Sequence, residues 1–150
     1  MAIIPHLQVR NLDESIRFYR DVLGFHLEWQ DTDDESHESA MMSRGDNSIS
    51  FKNQSHSENK EFAAELSGEL MMFEEEVDFM YDEIKCEAKG SEEKISIVDS
   101  LKDSNGLRRF SILDCNGYRI TFAAVLNEIS DRIDAVAQTR STKREFSVIR

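Results

Sequence analysis

The sequence predicts an α+β fold built from two copies of a βαβββ unit. Residues 4–19 contain a short run of alternating apolar and polar residues, then acidic residues, then a helical pattern of apolar residues. The same order recurs at residues 69–81. Each half closes on a similar strand, Ile49-Ser50-Phe51 in the first and Ile120-Thr121-Phe122 in the second. A repeat of a whole supersecondary unit predicts two similar modules that share one architecture.

The predicted domain organisation follows from where this repeat begins and ends. Leu126, Ile129, Ile133 and Val136 lie at helical spacing after the second module, which predicts a further amphipathic helix. We therefore place paired modules at residues 1–125, as 1–53 and 65–125 with a polar connector at 54–64, and a C-terminal helix with a basic tail at 126–150.

The first module begins with an alternating strand at residues 3–9. Its odd-numbered side chains are apolar and should pack on helices, whereas its even-numbered face carries His6 and Gln8 and suits a groove. Pro5 cannot donate to a strand ladder, so we expect this strand at a sheet edge or at a crossing point. Asn11 or Asp13 can cap the following helix. The remaining elements of the module are predicted as a helix ending near 21 and strands at 25–30, 37–43 and 48–52.

The second module repeats this order after the connector. Its predicted elements are a strand at 65–73, a helix at 76–86 and strands near 95–99, 107–113 and 118–124. Gly117 lies in the turn before the last strand, where it can supply a positive φ.

Composition excludes several classes of function. The 150 residues are 39% hydrophobic, which suffices for a core, and the net charge of -12 opposes binding to nucleic acid. The acidity would attract a cationic ligand or simply maintain solubility. No apolar stretch reaches the length of a bilayer span, and the first residues lack the basic and apolar regions of a secretory signal. Cys86 and Cys115 form no disulfide or metal-binding pattern, so we expect free thiols in a reducing cytoplasm.

Two motifs carry a resemblance to a known family. They are Phe-Tyr-Arg-Asp-Val-Leu-Gly-Phe at residues 18–25 and Asp-x-Asn-Gly-Tyr-Arg-Ile-x-Phe at residues 114–122. In this order and at this separation, the sequence resembles the vicinal oxygen chelate superfamily over roughly residues 3–124. That superfamily includes glyoxalase I, bleomycin-resistance proteins, extradiol dioxygenases and fosfomycin-resistance enzymes. The resemblance implies a cup-shaped mixed β-sheet with helices outside, and a homodimer.

The resemblance also implies four metal-ligand positions, one on the first strand and one on the last strand of each module. They correspond here to Ile4, Ser50, Glu69 and Thr121. Only Glu69 is a good ligand, whereas a catalytic metal normally needs about three His, Asp or Glu side chains. We therefore expect no metal and no other cofactor, which argues against glyoxalase, dioxygenase or epimerase activity.

The same alternation predicts the side chains that line the cup. They combine apolar area with a few polar groups, as small-molecule pockets do, and Trp, Phe and Met suit contact with a planar ligand. The predicted ligand-binding residues are His6, Gln8, Trp29, Ser50, Glu69, Met71, Phe73, Phe110, Arg119 and Thr121.

Three functions remain open from the sequence. The first is a metal-free binding protein of the bleomycin-resistance type that sequesters a planar or cationic small molecule in the cup or in a dimer groove. The second is a lyase, isomerase or dioxygenase with an atypical metal site at His6 and Glu69. The third is an interaction module with a vestigial cup, whose working surface is the C-terminal helix and tail. No nucleophile elbow or phosphate-binding loop is present in the sequence.

Overall fold

A computed structural model describes residues 3–32, 38–53, 69–90, 95–127 and 136. It confirms the α+β fold and the repeated βαβββ order. The elements are β1 His6–Val9, α1 Leu12–Asp21, β2 His26–Asp31, β3 Ser39–Arg44, β4 Asn47–Asn53, β5 Glu69–Phe73, α2 Val77–Gly90, β6 Ser96–Ser104, β7 Leu107–Leu113 and β8 Arg119–Val125.

Parts of the predicted organisation fall outside the described residues. The connector at 54–64 and the predicted start of β5 at 65–68 lie there. Leu126 and Asn127 are helical, as is Val136, but the rest of the predicted C-terminal helix and tail also lies outside. No helix in the described part of the chain has the length and apolar character needed to cross a membrane.

The two modules form four-stranded sheets with the same topology, in the orders β1-β4-β3-β2 and β5-β8-β7-β6. In each sheet the first and last strands of the module pair in parallel and the other pairs are antiparallel. Strand β1 is at an edge, as Pro5 predicts. The register also agrees with the repeat, because Ser50 lies opposite His6 as Thr121 lies opposite Met71.

Each sheet is covered by its helix on one face. Asn11 caps α1 by accepting a hydrogen bond from the backbone N–H of Glu14 at 3.0 Å, and the helix buries Leu12, Ile16 and Tyr19. Buried side chains of α1, α2 and both sheets belong to a single hydrophobic cluster. The modules are therefore joined by a shared core.

Polar contacts at the strand ends also join the modules. On one side, the β7–β8 turn reaches the first module: the hydroxyl of Tyr19 donates to Asp114 at 2.8 Å, and that of Tyr118 donates to the carbonyl of Gln8 at 2.8 Å. On the other side, the guanidinium of Arg44 near the β3–β4 turn pairs with Glu74 at 2.9 Å. These two contact regions hold the two modules against each other.

Two elements are longer than the sequence analysis predicts. Strand β6 continues to Ser104 instead of ending near residue 99, because Asn105 and Gly106 adopt φ values of 53° and 77° and make a tight hairpin with β7. Helix α2 continues to Gly90 instead of ending near residue 86. The positive φ expected for Gly117 is confirmed, at 91°.

Each sheet also has a β-bulge in its outer strand. The register of β2 shifts between Leu27 and Trp29, and that of β6 shifts between Ile97 and Asp99. A bulge inserts one extra residue and re-aims the side chains that follow it. Leu27 pairs with buried Met42, and after the bulge Trp29 pairs with Met41, on the opposite face of the sheet.

Candidate functional site

The face of each sheet that lies opposite its helix is the candidate site, and we call it the helix-free face. In the first sheet the helix-covered face carries Ala40, Met42, Ile49 and Phe51, all fully buried. Alternation therefore places Ser50 and its cross-strand neighbours on the helix-free face.

A row of four side chains crosses the helix-free face of the first sheet. The register places Trp29 opposite Met41, Met41 opposite Ser50, and Ser50 opposite His6. The imidazole Nδ1 of His6 lies 3.0 Å from the hydroxyl of Ser50. Trp29 is 45% exposed at the outer strand, so the row ends in an accessible indole. Gln8 lies one step further along β1 and its side chain is exposed.

A closed ring of polar contacts crosses the helix-free face of the second sheet. The hydroxyl of Thr121 donates to the carboxylate of Glu69 and lies 2.7 Å from the hydroxyl of Ser111. Ser111 in turn contacts the carboxylate of Asp99, which accepts a hydrogen bond from the guanidinium of Arg119. Arg119 completes the ring, because its Nε lies 3.6 Å from Glu69.

The charges in this ring are mutually compensated. Burial alone would raise the pKa of Asp99, but Lys102 and Arg119 outweigh that effect and lower it. Asp99 therefore stays ionised at neutral pH and keeps its hydrogen bonds to Arg119 and Ser111.

Apolar side chains of β5 lie beside this ring. Met71 lies opposite Thr121 and Phe73 lies opposite Ala123, so both share the helix-free face. Met71 is 42% exposed and Phe73 is 57% exposed. Large apolar side chains with this exposure, beside ordered polar groups, are typical of a surface that binds a ligand or partner.

The structure corrects one predicted site residue. Phe110 is fully buried and its ring lies 5.1 Å from that of Tyr81 on α2 and 5.5 Å from that of Phe122. Ser111, the next residue in β7, takes part in the polar contacts on the helix-free face, so alternation directs Phe110 to the helix-covered face. The prediction that Phe110 lines the site is therefore wrong. Thr121 is on the predicted face but fully buried, beneath Glu69 and Ser111.

The residues at the family's metal positions do not fit a metal ion. Ile4 has no donor atom, Ser50 and Thr121 offer hydroxyls, and the carboxylate of Glu69 already accepts from Thr121 beside the Arg119 cation. His6 is hydrogen-bonded within the first sheet, to Ser50. In the ranges that the structure describes, no three His, Cys, Asp or Glu side chains cluster in a way that could hold a metal.

Several residues of the site were missed by sequence reasoning. Met41, Asp99, Ser111 and Arg109 all share the helix-free faces by register. Ser111 and Arg109 could have been found by alternation from Phe110 once its facing was known. Asp99 could not, because its facing depends on the bulge after Ile97.

Comparison with known proteins supports the fold. A bleomycin-binding protein from bleomycin-producing Streptomyces verticillus, complexed with copper(II)-bleomycin, has a similar structure. Its TM-score is 0.62 and its identity is 18%, over 83% of this chain and 95% of that chain. A glyoxylase/bleomycin resistance protein/dioxygenase domain from Frankia sp. EAN1pec has a TM-score of 0.67 and 15% identity, over 83% and 91%. A glyoxalase I mutant from Zea mays has a TM-score of 0.63 and 17% identity, over 84% of this chain and 47% of that chain.

The TM-scores establish a shared fold, and at such low sequence identity they establish nothing finer. No curated protein matches the sequence. A family model described as Glyoxalase/Bleomycin resistance protein/Dioxygenase superfamily matches residues 3–122. The chain therefore belongs to the glyoxalase/bleomycin-resistance/dioxygenase superfamily.

Proposed function

We propose that this chain is a metal-independent binding protein that sequesters a planar or cationic small molecule on its helix-free faces. The observation that carries the proposal is that the carboxylate of Glu69 already contacts neighbouring side chains. It is the one carboxylate at the family's metal positions, and it is bonded to Thr121 and lies beside Arg119. A metal would have to displace both neighbours and would still lack the usual number of protein ligands.

The exposed apolar side chains supply the binding surface. Trp29, Met71 and Phe73 are each between 42% and 57% exposed and project from strands, whose backbone is held by the sheet. Burying one such side chain fully against a ligand stabilises a complex by about 1.5–3 kcal/mol. Aromatic rings also favour stacked or edge-to-face contact with another planar group.

The relatives support a binding role without deciding it. One solved protein of this fold is described as a bleomycin-binding protein in complex with copper(II)-bleomycin, and another is a glyoxalase I. A fold hosts unrelated functions, so the choice must come from the side chains at the site. Here the donor set favours binding over metal chemistry.

Calorimetric titration with a panel of planar and cationic compounds, including bleomycin-type antibiotics, tests the proposal. We expect at least one compound to bind, and we expect Phe73→Ala to weaken that binding by tenfold or more. Phe79→Ala is the matched control, because Phe79 is 59% exposed but lies on α2, away from the helix-free faces. If no compound releases or absorbs heat, or if both variants weaken binding equally, the proposal is contradicted.

The proposal includes a cytoplasmic homodimer. Both cysteines are free, with Cys86 exposed and Cys115 half-buried, which suits a reducing compartment. Sedimentation equilibrium should give twice the 17.3 kDa chain mass. A monomer at micromolar concentration would contradict this part of the proposal.

A further inference from the structure

A second row of side chains on the helix-free face of the second sheet runs across all four strands. The register places Phe73 opposite Ala123, Ala123 opposite Arg109, and Arg109 opposite Lys102. Ala123 is fully buried although it lies outside the hydrophobic core cluster. The row thus has an exposed aromatic ring at one end, a small buried residue in between, and two cations at the other end.

Among the described residues of this face, the three cations outnumber the two carboxylates. Glu69 lies beside Arg119, and Asp99 is bonded to Arg119 and lies 3.4 Å from Lys102. Arg109 is half-buried and, within the part of the chain that the structure describes, forms no ion pair. Among the described residues, one positive charge on this face is therefore left without a carboxylate partner.

The position of that charge is unfavourable for the folded chain alone. Arg109 and Lys102 are directly opposite on antiparallel strands, and like charges in such a pair are destabilising. A local arrangement that opposes stability is expected where function requires it. An anion between the two side chains would convert the repulsion into attraction on both sides.

We propose that Arg109 binds the carboxylate of a planar aromatic ligand, whose body packs on Phe73. This inference rests on the proposed function and selects an anionic ligand over a cationic one. A guanidinium can donate two parallel hydrogen bonds to a carboxylate, which fixes the orientation of the ligand. Phe73 and Arg109 are two strands apart, roughly 10 Å between backbones, which matches an aromatic acid of one or two rings.

The net charge of -12 does not oppose this assignment at short range. At physiological ionic strength, charges separated by more than about 8 Å are largely screened. An anion in contact with Arg109 therefore interacts mainly with the charges of this face, which are Arg109, Lys102 and the Asp99 carboxylate 3.4 Å from Lys102.

Three probes with one aromatic body isolate the contribution of charge. They are 2-naphthoate, neutral 2-naphthamide and the cation 2-naphthylmethylammonium, each titrated calorimetrically into the full chain at pH 7. We expect 2-naphthoate to bind at least tenfold more tightly than the other two. Equal affinity for all three, or tighter binding of the cation, would overturn the inference and leave the binding function itself intact.

Arg109→Gln tests the residue directly. We expect it to weaken 2-naphthoate binding by tenfold or more, to change 2-naphthamide binding less than twofold, and to leave the melting temperature unchanged or higher because the repulsion from Lys102 is relieved. Arg108→Gln is the matched control, because Arg108 adjoins Arg109 in sequence but pairs with Asp78 at 2.7 Å and Asp103 at 2.8 Å, on the helix-covered side. We expect its 2-naphthoate affinity to remain within twofold.

The outcomes separate failure of this inference from failure of the proposed function. If Arg109→Gln and Arg108→Gln bind 2-naphthoate alike, the inference is wrong. If Phe73→Ala also leaves the affinity for every probe unchanged, the proposed function fails as well, because the surface that carries it is not used.

Discussion

At the scale of single residues, Asp114 explains the second sequence motif. Its carboxylate accepts hydrogen bonds from the hydroxyl of Tyr19 and from the backbone N–H groups of Asn116 and Tyr118, at 2.8, 2.9 and 2.8 Å. Burial raises the pKa of Asp114 against the opposing effect of these bonds, and burial followed by the nearby Asp114 charge raises the pKa of Tyr19. Asp114 therefore orders the β7–β8 turn and holds it against the first module.

Tyr19→Phe should destabilise the protein by about 1.5–3 kcal/mol, because it leaves a buried carboxylate without one of its donors. The measurement is urea denaturation followed by circular dichroism. Tyr81→Phe is the control, since Tyr81 contributes ring contacts with Phe110 and Lys85 that phenylalanine keeps. It should change stability by no more than about 0.5 kcal/mol. Equal effects of the two substitutions would contradict the role assigned to the Tyr19 hydroxyl.

Asp114 should also make stability depend on pH. Because its pKa is raised in the folded state, its stabilising contribution is complete below the ordinary carboxyl pKa of about 3.9 and is lost as pH rises through the folded pKa. Asp114→Asn cannot titrate. The free energy of unfolding of the wild type minus that of Asp114→Asn should therefore fall from pH 4 to pH 7 in urea titrations. A difference that rises over this range would show that the pKa is lowered instead.

At the scale of elements, Arg44 connects the end of α1 to the second module. Its Nη1 donates to the carbonyl of Leu23 at 2.9 Å while its Nε pairs with Glu74. Gly24 lies beneath this side chain with φ +68°, and a Cβ there would lie 2.5 Å from Nη1 of Arg44. The glycine at the end of α1 is therefore required both by its backbone conformation and by the arginine that packs on it.

Gly24→Ala should destabilise the protein more than Gly45→Ala. Both glycines have positive φ, which costs alanine about 1–2 kcal/mol, but a Cβ at Gly45 would meet no atom within 4 Å. The difference between the two variants in thermal unfolding isolates the displacement of Arg44. If the two melting temperatures fall by the same amount, the Arg44 contact contributes nothing measurable.

Elements also show how far the sequence could predict this protein. The repeat located every strand and helix that the described residues contain, and it aligned Ser50 with Thr121 correctly, because periodicity and chain order determine both. The facing of Trp29 and Asp99 depends on bulges at Leu27 and Ile97, which local sequence does not reveal. Phe110 was misplaced because a phenylalanine suits a core and a binding surface equally well.

At the scale of the whole molecule, one core and two polar contact regions join the modules. Buried residues from both sheets belong to the same cluster, and the β7–β8 turn is fixed to α1 by Asn116, which donates to Ser15 at 3.0 Å and accepts from the N–H of Arg10 at 3.2 Å. We therefore expect the modules to unfold together.

The reactivity of Cys115 reports whether the modules unfold together, because Cys115 lies in the turn that joins them. Burial, followed by the charge of Asp114, raises the pKa of its thiol to about 12, so the thiol stays protonated at pH 8. Thiol labelling at pH 8 should modify exposed Cys86 at once and Cys115 only at the rate of global unfolding, with Cys86→Ser removing the fast phase. Labelling of Cys115 as fast as Cys86 would mean that the modules separate readily.

The central claim for the whole molecule is that it binds its ligand without a metal. The most direct test is calorimetric titration of the tightest compound from the panel into protein held in EDTA and into protein supplied with Zn²⁺. We expect the same dissociation constant, within twofold, in both conditions. Binding that disappears in EDTA and returns with Zn²⁺ would contradict the claim.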